Sequence, residues 1–181
     1  MKYEEGAKKT TNMGHKQDWW EDLRLWLIPK LGRIAQHLSE KTDENIYTSY
    51  EIHNNQFVGR VDIPEEEFEE KLDDMGFERN PIAALKVLSS TNEIEEGSWR
   101  KIYPDEHPDM QLHVMLFDGS AINNAPTGCV YIYAHWELRW DTHPLAHYRG
   151  EQLSGAKGVQ KMKNMLDAEG IVYTLERPPA T

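Results

Sequence analysis

A regular alternation of apolar and polar side chains, which runs from Val130 to Asp141, is the longest two-residue pattern in the chain. Because successive side chains of a β-strand point to opposite faces, the pattern predicts a central strand of an antiparallel sheet. The even-numbered positions should face the core, and the odd-numbered positions should face solvent, a partner or a shallow site. The even set is Val130, Ile132, Ala134, Trp136, Leu138 and Trp140, and the odd set is Tyr131, Tyr133, His135, Glu137, Arg139 and Asp141.

A second alternation, over residues 110–117, predicts the strand that pairs with the first one. If Leu112 lies opposite Trp136, then His113 lies opposite His135. Cross-strand neighbours of this kind have their Cβ atoms about 5 Å apart. A slip of two residues would keep the faces and separate the two histidines, so the register is a specific prediction.

Further strands and two helices are predicted around this pair. The helix over residues 64–75 begins with proline and acidic residues, which suit a first turn, and Gly76 suits its end. The second helix covers residues 154–169. Strands are predicted over residues 46–52, 57–63, 83–88, 98–103 and 171–175, with the first two joined as a hairpin. The fold class is therefore α+β: an antiparallel sheet of five to seven strands, two helices on one face, and an N-terminal amphipathic helix.

The N-terminal helix is predicted over residues 17–40, after a disordered tail at residues 1–16, and the single α+β domain covers residues 46–177. Apolar residues recur at helical spacing, and Pro29 predicts a kink or break. One interpretation is a helix that packs on its own domain. The alternative is an arm that docks on a partner, since tryptophans often anchor interfaces. The tryptophans in question are Trp19, Trp20 and Trp26.

Composition limits the classes of function. The formal net charge is −11 over 181 residues, which argues against tight binding of duplex nucleic acid. No run approaches the length of a membrane span, and the N-terminus lacks the apolar segment of a signal peptide. The single cysteine, Cys129, excludes an internal disulfide and a cysteine-based zinc site. These features favour a cytoplasmic protein, or a virion component if the chain is viral.

Four histidines and one glutamate form the candidate chemistry of the chain. Imidazole nitrogens and carboxylate oxygens are the ligands of divalent transition ions such as zinc or manganese. His143 and His147 are four residues apart, so a helical turn after Pro144 would bring them to one side. In the metal interpretation, Glu137 acts as the catalytic base. The predicted metal ligands are His113, His135, His143 and His147.

Two other interpretations of these histidines stay open, because their spacing matches no standard metal motif. The histidines can form a polar network with carboxylates and tyrosines. They can also form a pH-sensitive or partner-binding surface, because histidine titrates near neutral pH.

Three segments carry a resemblance to known sequences: M-Q-L-H-V-M-L-F, Y-A-H-W-E-L-R-W-D-T-H-P-L-A-H-Y-R-G, and the last helix with Gly170-Ile171. They resemble uncharacterised proteins of halophilic archaea and their viruses, over roughly residues 57–176. The resemblance implies an α+β domain in a cytoplasmic or virion setting. It implies no catalytic residue.

The main functional hypothesis is a non-enzymatic binding or assembly module with a protein partner or a second copy of itself. Its contact surface would be the tryptophan helix together with Tyr131 and Tyr133 on the sheet. The alternative hypothesis is a metal-dependent hydrolase or nuclease with a histidine–glutamate site on the central hairpin.

Overall fold

The computed structural model describes residues 51–80, 87–88, 90–91, 95 and 97–179. The predicted tail and tryptophan helix, with Trp19, Trp20 and Trp26, lie outside the described residues. So do residues 46–50 and 83–86 of two predicted strands. Within the described ranges, no helix has the length and apolar character needed to cross a membrane.

The strands of the described residues are β1 Glu51–Ile52, β2 Phe57–Val61, β3 Glu78–Arg79, β4 Val87–Leu88, β5 Gly97–Tyr103, β6 His107–Asp118 and β7 Val130–Leu138. Five of them form one antiparallel sheet, in the order β2-β7-β6-β5-β3. The two short strands β1 and β4 pair with each other in parallel. The helices are α1 Glu65–Asp74, α2 Pro144–Tyr148 and α3 Gly155–Ala168. The α+β prediction is therefore confirmed.

The predicted register of the two central strands is also confirmed. Leu112 lies opposite Trp136, and His113 lies opposite His135. The strand β6 begins at His107, three residues before the start of the alternation that predicts it. The antiparallel pairing runs without a bulge from Met110 to Asp118, which fixes every side chain of both strands to a definite face.

The even-numbered face of β6 and β7 packs against α1 and α3, as predicted. Phe68 and Leu72 of α1, with Met162 and Leu166 of α3, are all fully buried in this layer. At the end of α1, Gly76 has φ +79°, a left-handed conformation that favours glycine. At the start of α3, the Ser154 hydroxyl accepts a hydrogen bond from the Lys157 backbone N–H at 3.3 Å. Both helix predictions are confirmed within two residues at each end.

The prediction that the odd-numbered face of β7 is exposed is wrong. Tyr131 is 1% exposed and Tyr133 is fully buried. A second hydrophobic cluster covers them, and it includes Ile52, Leu88 and Ile122 from segments that flank the main sheet. Burial raises the pKa of Tyr133 far above its usual range. Tyr131 and Tyr133 therefore do not form the exposed contact surface that the sequence predicted.

Two smaller predictions are also wrong. The strands β1 and β2 do not form a hairpin, because β1 pairs with β4 and β2 pairs with β7. Residues 171–175 do not form a strand, since only Thr174 makes a bridge, to Arg60. Both errors concern which segments pair with each other, because the sequence of a short segment does not by itself determine its partner.

Candidate metal centre

His113, His135 and Glu137 meet on the odd-numbered face of the two central strands. His113 Nδ1 lies 3.1 Å from His135 Nε2 and 2.9 Å from Glu137 Oε1. His135 Nε2 lies 3.0 Å from Glu137 Oε2. The two ring nitrogens and the carboxylate thus form a triangle of close contacts. All three side chains are buried, with Glu137 the most exposed at 3%.

Two strands and one helix hold this triangle in place. The cross-strand pairing puts the two imidazoles face to edge, with their ring planes at 89°. On its other edge, β7 is held by the start of α3, because Trp136 and Ser154 exchange backbone hydrogen bonds of 3.0 and 2.8 Å. One helical turn later, Gly158 lies against the backbone of His135, so that any Cβ at this position would collide with it. The backbone of His135 is therefore fixed on both sides.

While Glu137 is ionised, hydrogen atoms alone cannot satisfy the three contacts of the triangle. His113 Nδ1 and His135 Nε2 each carry at most one hydrogen, and an ionised carboxylate carries none. If both hydrogens point to Glu137, two N–H groups face each other at 3.1 Å. If one points to the other ring, a bare nitrogen faces a carboxylate oxygen instead. A cation at the centre resolves the conflict, because each group then offers it a lone pair.

The outer nitrogens of both rings have side-chain hydrogen-bond partners. His135 Nδ1 donates to Gln56 Oε1 at 2.9 Å, so the proton of the neutral ring lies there and leaves Nε2 with a lone pair. His113 Nε2 lies 2.8 Å from Ser98 Oγ. Metal-bound histidines commonly have such outer partners, which fix the tautomer and the ring orientation.

Glu137 is held as a carboxylate. In the metal-free protein, burial by itself would raise the pKa of Glu137, but the positive charge of the protonated imidazoles of His135 and His113 and their hydrogen bonds hold this pKa well below its usual range. Gln111 adds a hydrogen bond from Nε2 to Glu137 Oε1 at 2.9 Å. Both carboxylate oxygens therefore point into the triangle, which makes Glu137 a candidate ligand.

The other predicted ligands are not part of the triangle. The helical turn after Pro144 forms as predicted, but His147 Nδ1 donates to the Leu138 carbonyl at 2.7 Å and lies 3.5 Å from Glu137 Oε2. His143 is partly exposed and pairs with Asp109 at 3.3 Å. The structure therefore brings together two of the four predicted histidines, places His147 beside them, and leaves His143 at the surface.

The dimensions of the triangle suit a divalent transition ion. A tetrahedral ion about 2.0–2.2 Å from each ligand atom needs ligand atoms roughly 3.3–3.6 Å apart. The observed contacts are 2.9–3.1 Å, so the side chains would separate by only about 0.2–0.7 Å. His113, His135 and Glu137 could hold a metal ion.

Sequence reasoning missed two residues of this site, Gln56 and Ser98. Gln56 belongs to a short 3-10 turn before β2, and nothing in the local sequence indicates that its amide reaches His135. Ser98 was predicted to begin a strand, and the strand register alone does not show that its hydroxyl reaches His113.

Comparisons with protein-family models, with curated proteins and with solved structures find no match. The resemblance to proteins of halophilic archaea therefore stays a prediction.

Proposed function

We propose that this protein is a metal-binding domain in which His113, His135 and Glu137 hold one divalent transition ion, with zinc as the first choice. Two imidazoles and one carboxylate form a donor set that suits zinc, and it also suits iron(II) or manganese. The ion cross-links the two central strands of the sheet. The observation that carries the proposal is the triangle of three contacts that two hydrogens cannot satisfy.

The burial of the site favours a binding role and argues against nuclease activity. His113, His135 and Glu137 are at most 3% exposed, so the backbone of a polymeric substrate does not reach them. The carboxylate of Glu137 faces the ligand nitrogens, so the proposal gives it the role of a ligand and not of a base. The assembly hypothesis that rests on Trp19, Trp20 and Trp26 stays a prediction, because these residues lie outside the described part of the chain.

Metal analysis of the tag-free full-length protein tests the proposal. After chelation and dialysis against zinc, we expect about one equivalent of zinc per chain. His135→Ala should lose it, because one of three ligands is gone. His143→Ala is the matched control and should retain it, because His143 lies at the surface beside Asp109.

The two variants also distinguish the proposed site from an ion bound elsewhere and from a buried polar network without an ion. Loss of zinc in His143→Ala but not in His135→Ala would place the ion elsewhere. Absence of zinc from the unmodified protein, and equally of iron(II) and manganese after anaerobic loading, would leave the buried polar network as the correct interpretation.

A further inference from the structure

One buried acceptor beside the triangle has no partner. Gln111 is fully buried, and its Nε2 donates to Glu137 Oε1, but its Oε1 makes no hydrogen bond. Turning the amide over would not help, because Oε1 would then face a carboxylate oxygen. An unsatisfied buried acceptor destabilises a fold, so a donor at this position would be favourable.

The charge of the proposed centre also favours a further ligand. A divalent ion with one carboxylate and two neutral imidazoles has a net charge of one positive unit, and a buried net charge is unfavourable. His147 does not complete the coordination, because its Nδ1 carries the hydrogen donated to the Leu138 carbonyl and the residue is not among those whose ligand atoms lie within 4.8 Å of one another. In the described part of the chain, the group has three ligand residues, and zinc commonly takes four ligands.

We propose that the fourth position of the ion holds an exchangeable water or hydroxide, which donates its hydrogen to Gln111 Oε1. This inference rests on the proposed function. It makes the centre an open site for small oxygen ligands and small monoanions, in contrast to a closed structural site. Gln111 is then a positioning residue, because it touches both the carboxylate ligand and the exchangeable ligand.

Cobalt(II) is a suitable probe, because its visible spectrum reports coordination, and the test uses the full-length protein. We expect the cobalt protein to bind one equivalent of metal and to change its visible spectrum when azide is added. The manganese(II) protein should speed the relaxation of water protons through an inner-sphere water. If cobalt(II) and manganese(II) bind but azide leaves the spectrum unchanged and no inner-sphere water is found, the open position is refuted and the proposed function stands. If cobalt(II), manganese(II) and zinc all fail to bind, both proposals fail.

Gln111→Leu tests the role of the glutamine. Removing one hydrogen bond from the exchangeable ligand should make azide bind roughly 3- to 10-fold tighter, because the displaced water is held less firmly. Gln160→Leu is the control, since Gln160 is exposed on α3 and bonds only Asn164 there. Azide affinity in Gln111→Leu that equals that of the control would overturn the role of Gln111. Where Gln111→Leu does not fold, the azide and relaxation results on the unmodified protein decide the matter.

Discussion

Replacement of Gly158 by alanine tests the geometry that fixes His135. A Cβ on Gly158 would lie 2.6 Å from the His135 backbone nitrogen, and closer still to its Cα. The atoms that it meets belong to the backbone of the central strand and cannot rotate away. To reach an ordinary contact of 3.4 Å, α3 would have to retreat from β7 by at least 0.8 Å.

That retreat affects the packing of the even-numbered face. Met162 and Leu166 are fully buried between α3 and the sheet, so they would lose contacts as the helix moves. Overpacking of a core typically lowers the free energy of unfolding by about 1–3 kcal/mol, and a collision with backbone lies at the upper end. The intrinsic gain from alanine in a helix is only about 1 kcal/mol. We therefore expect a net loss of about 2 kcal/mol, or about 4–8 °C in Tm for a chain of this size.

Urea unfolding followed by circular dichroism measures this loss, with Gly170→Ala as the matched control. Gly170 has φ +67° and no atom within 4 Å of an added Cβ, so its replacement causes backbone strain without collision. The strain amounts to about 1–2 kcal/mol. Gly158→Ala should also weaken zinc binding, because His135 moves, whereas Gly170→Ala should not. If Gly158→Ala is no less stable than Gly170→Ala and binds zinc normally, α3 does not lie against His135.

Three further predictions concern the helix start, acid stability and metal binding. Ser154→Ala should lower the free energy of unfolding by about 1 kcal/mol in urea titrations, because the Ser154 hydroxyl caps α3 through the Lys157 N–H. In the metal-free protein, the pKa of Glu137 in the folded state lies below its unfolded value of about 4.3. The ionised carboxylate therefore adds to the free energy of unfolding above that pH, and this contribution is lost as the pH falls through the folded pKa. Unfolding measured between pH 5 and pH 3 should therefore show a flatter acid limb in Glu137→Gln than in the unmodified protein. Zinc at a hundredfold excess over its Kd should raise the free energy of unfolding by about 2.7 kcal/mol in the unmodified protein and by much less in Glu137→Gln.

The pairing of His113 with His135 could be predicted because it follows from the patterns of two neighbouring strands alone. Strict alternation in two neighbouring strands fixes which side chains share a face, and apolar residues on the other face select the register. The same reasoning correctly placed the two long helices, whose apolar spacing and end signals lie within their own segments.

The burial of the odd-numbered face could not be predicted in the same way. It depends on Ile52 and Leu88, which belong to strands of two residues each, and on Ile122 in the loop between β6 and β7. None of these segments shows a periodic pattern of apolar residues of its own. The parallel pairing of β1 with β4 is a long-range contact, so the sequence predicted an exposed face where a second core exists. Gln56 was missed for the same reason.

The energetics of the triangle distinguish a metal site from a polar network that merely stabilises the sheet. Removal of one member of a buried charged group leaves the others poorly compensated, and His135→Leu should lower the stability of the metal-free protein by about 3–5 kcal/mol. Replacement of the whole group by residues without charge avoids that penalty, so His113→Leu, His135→Leu and Glu137→Gln combined should be more stable than His135→Leu alone. The combined variant should show no zinc response in thermal unfolding. If it is instead less stable than the single variant, the hydrogen bonds and charges of the three side chains stabilise the metal-free fold by more than their burial destabilises it, which is the behaviour of a polar network.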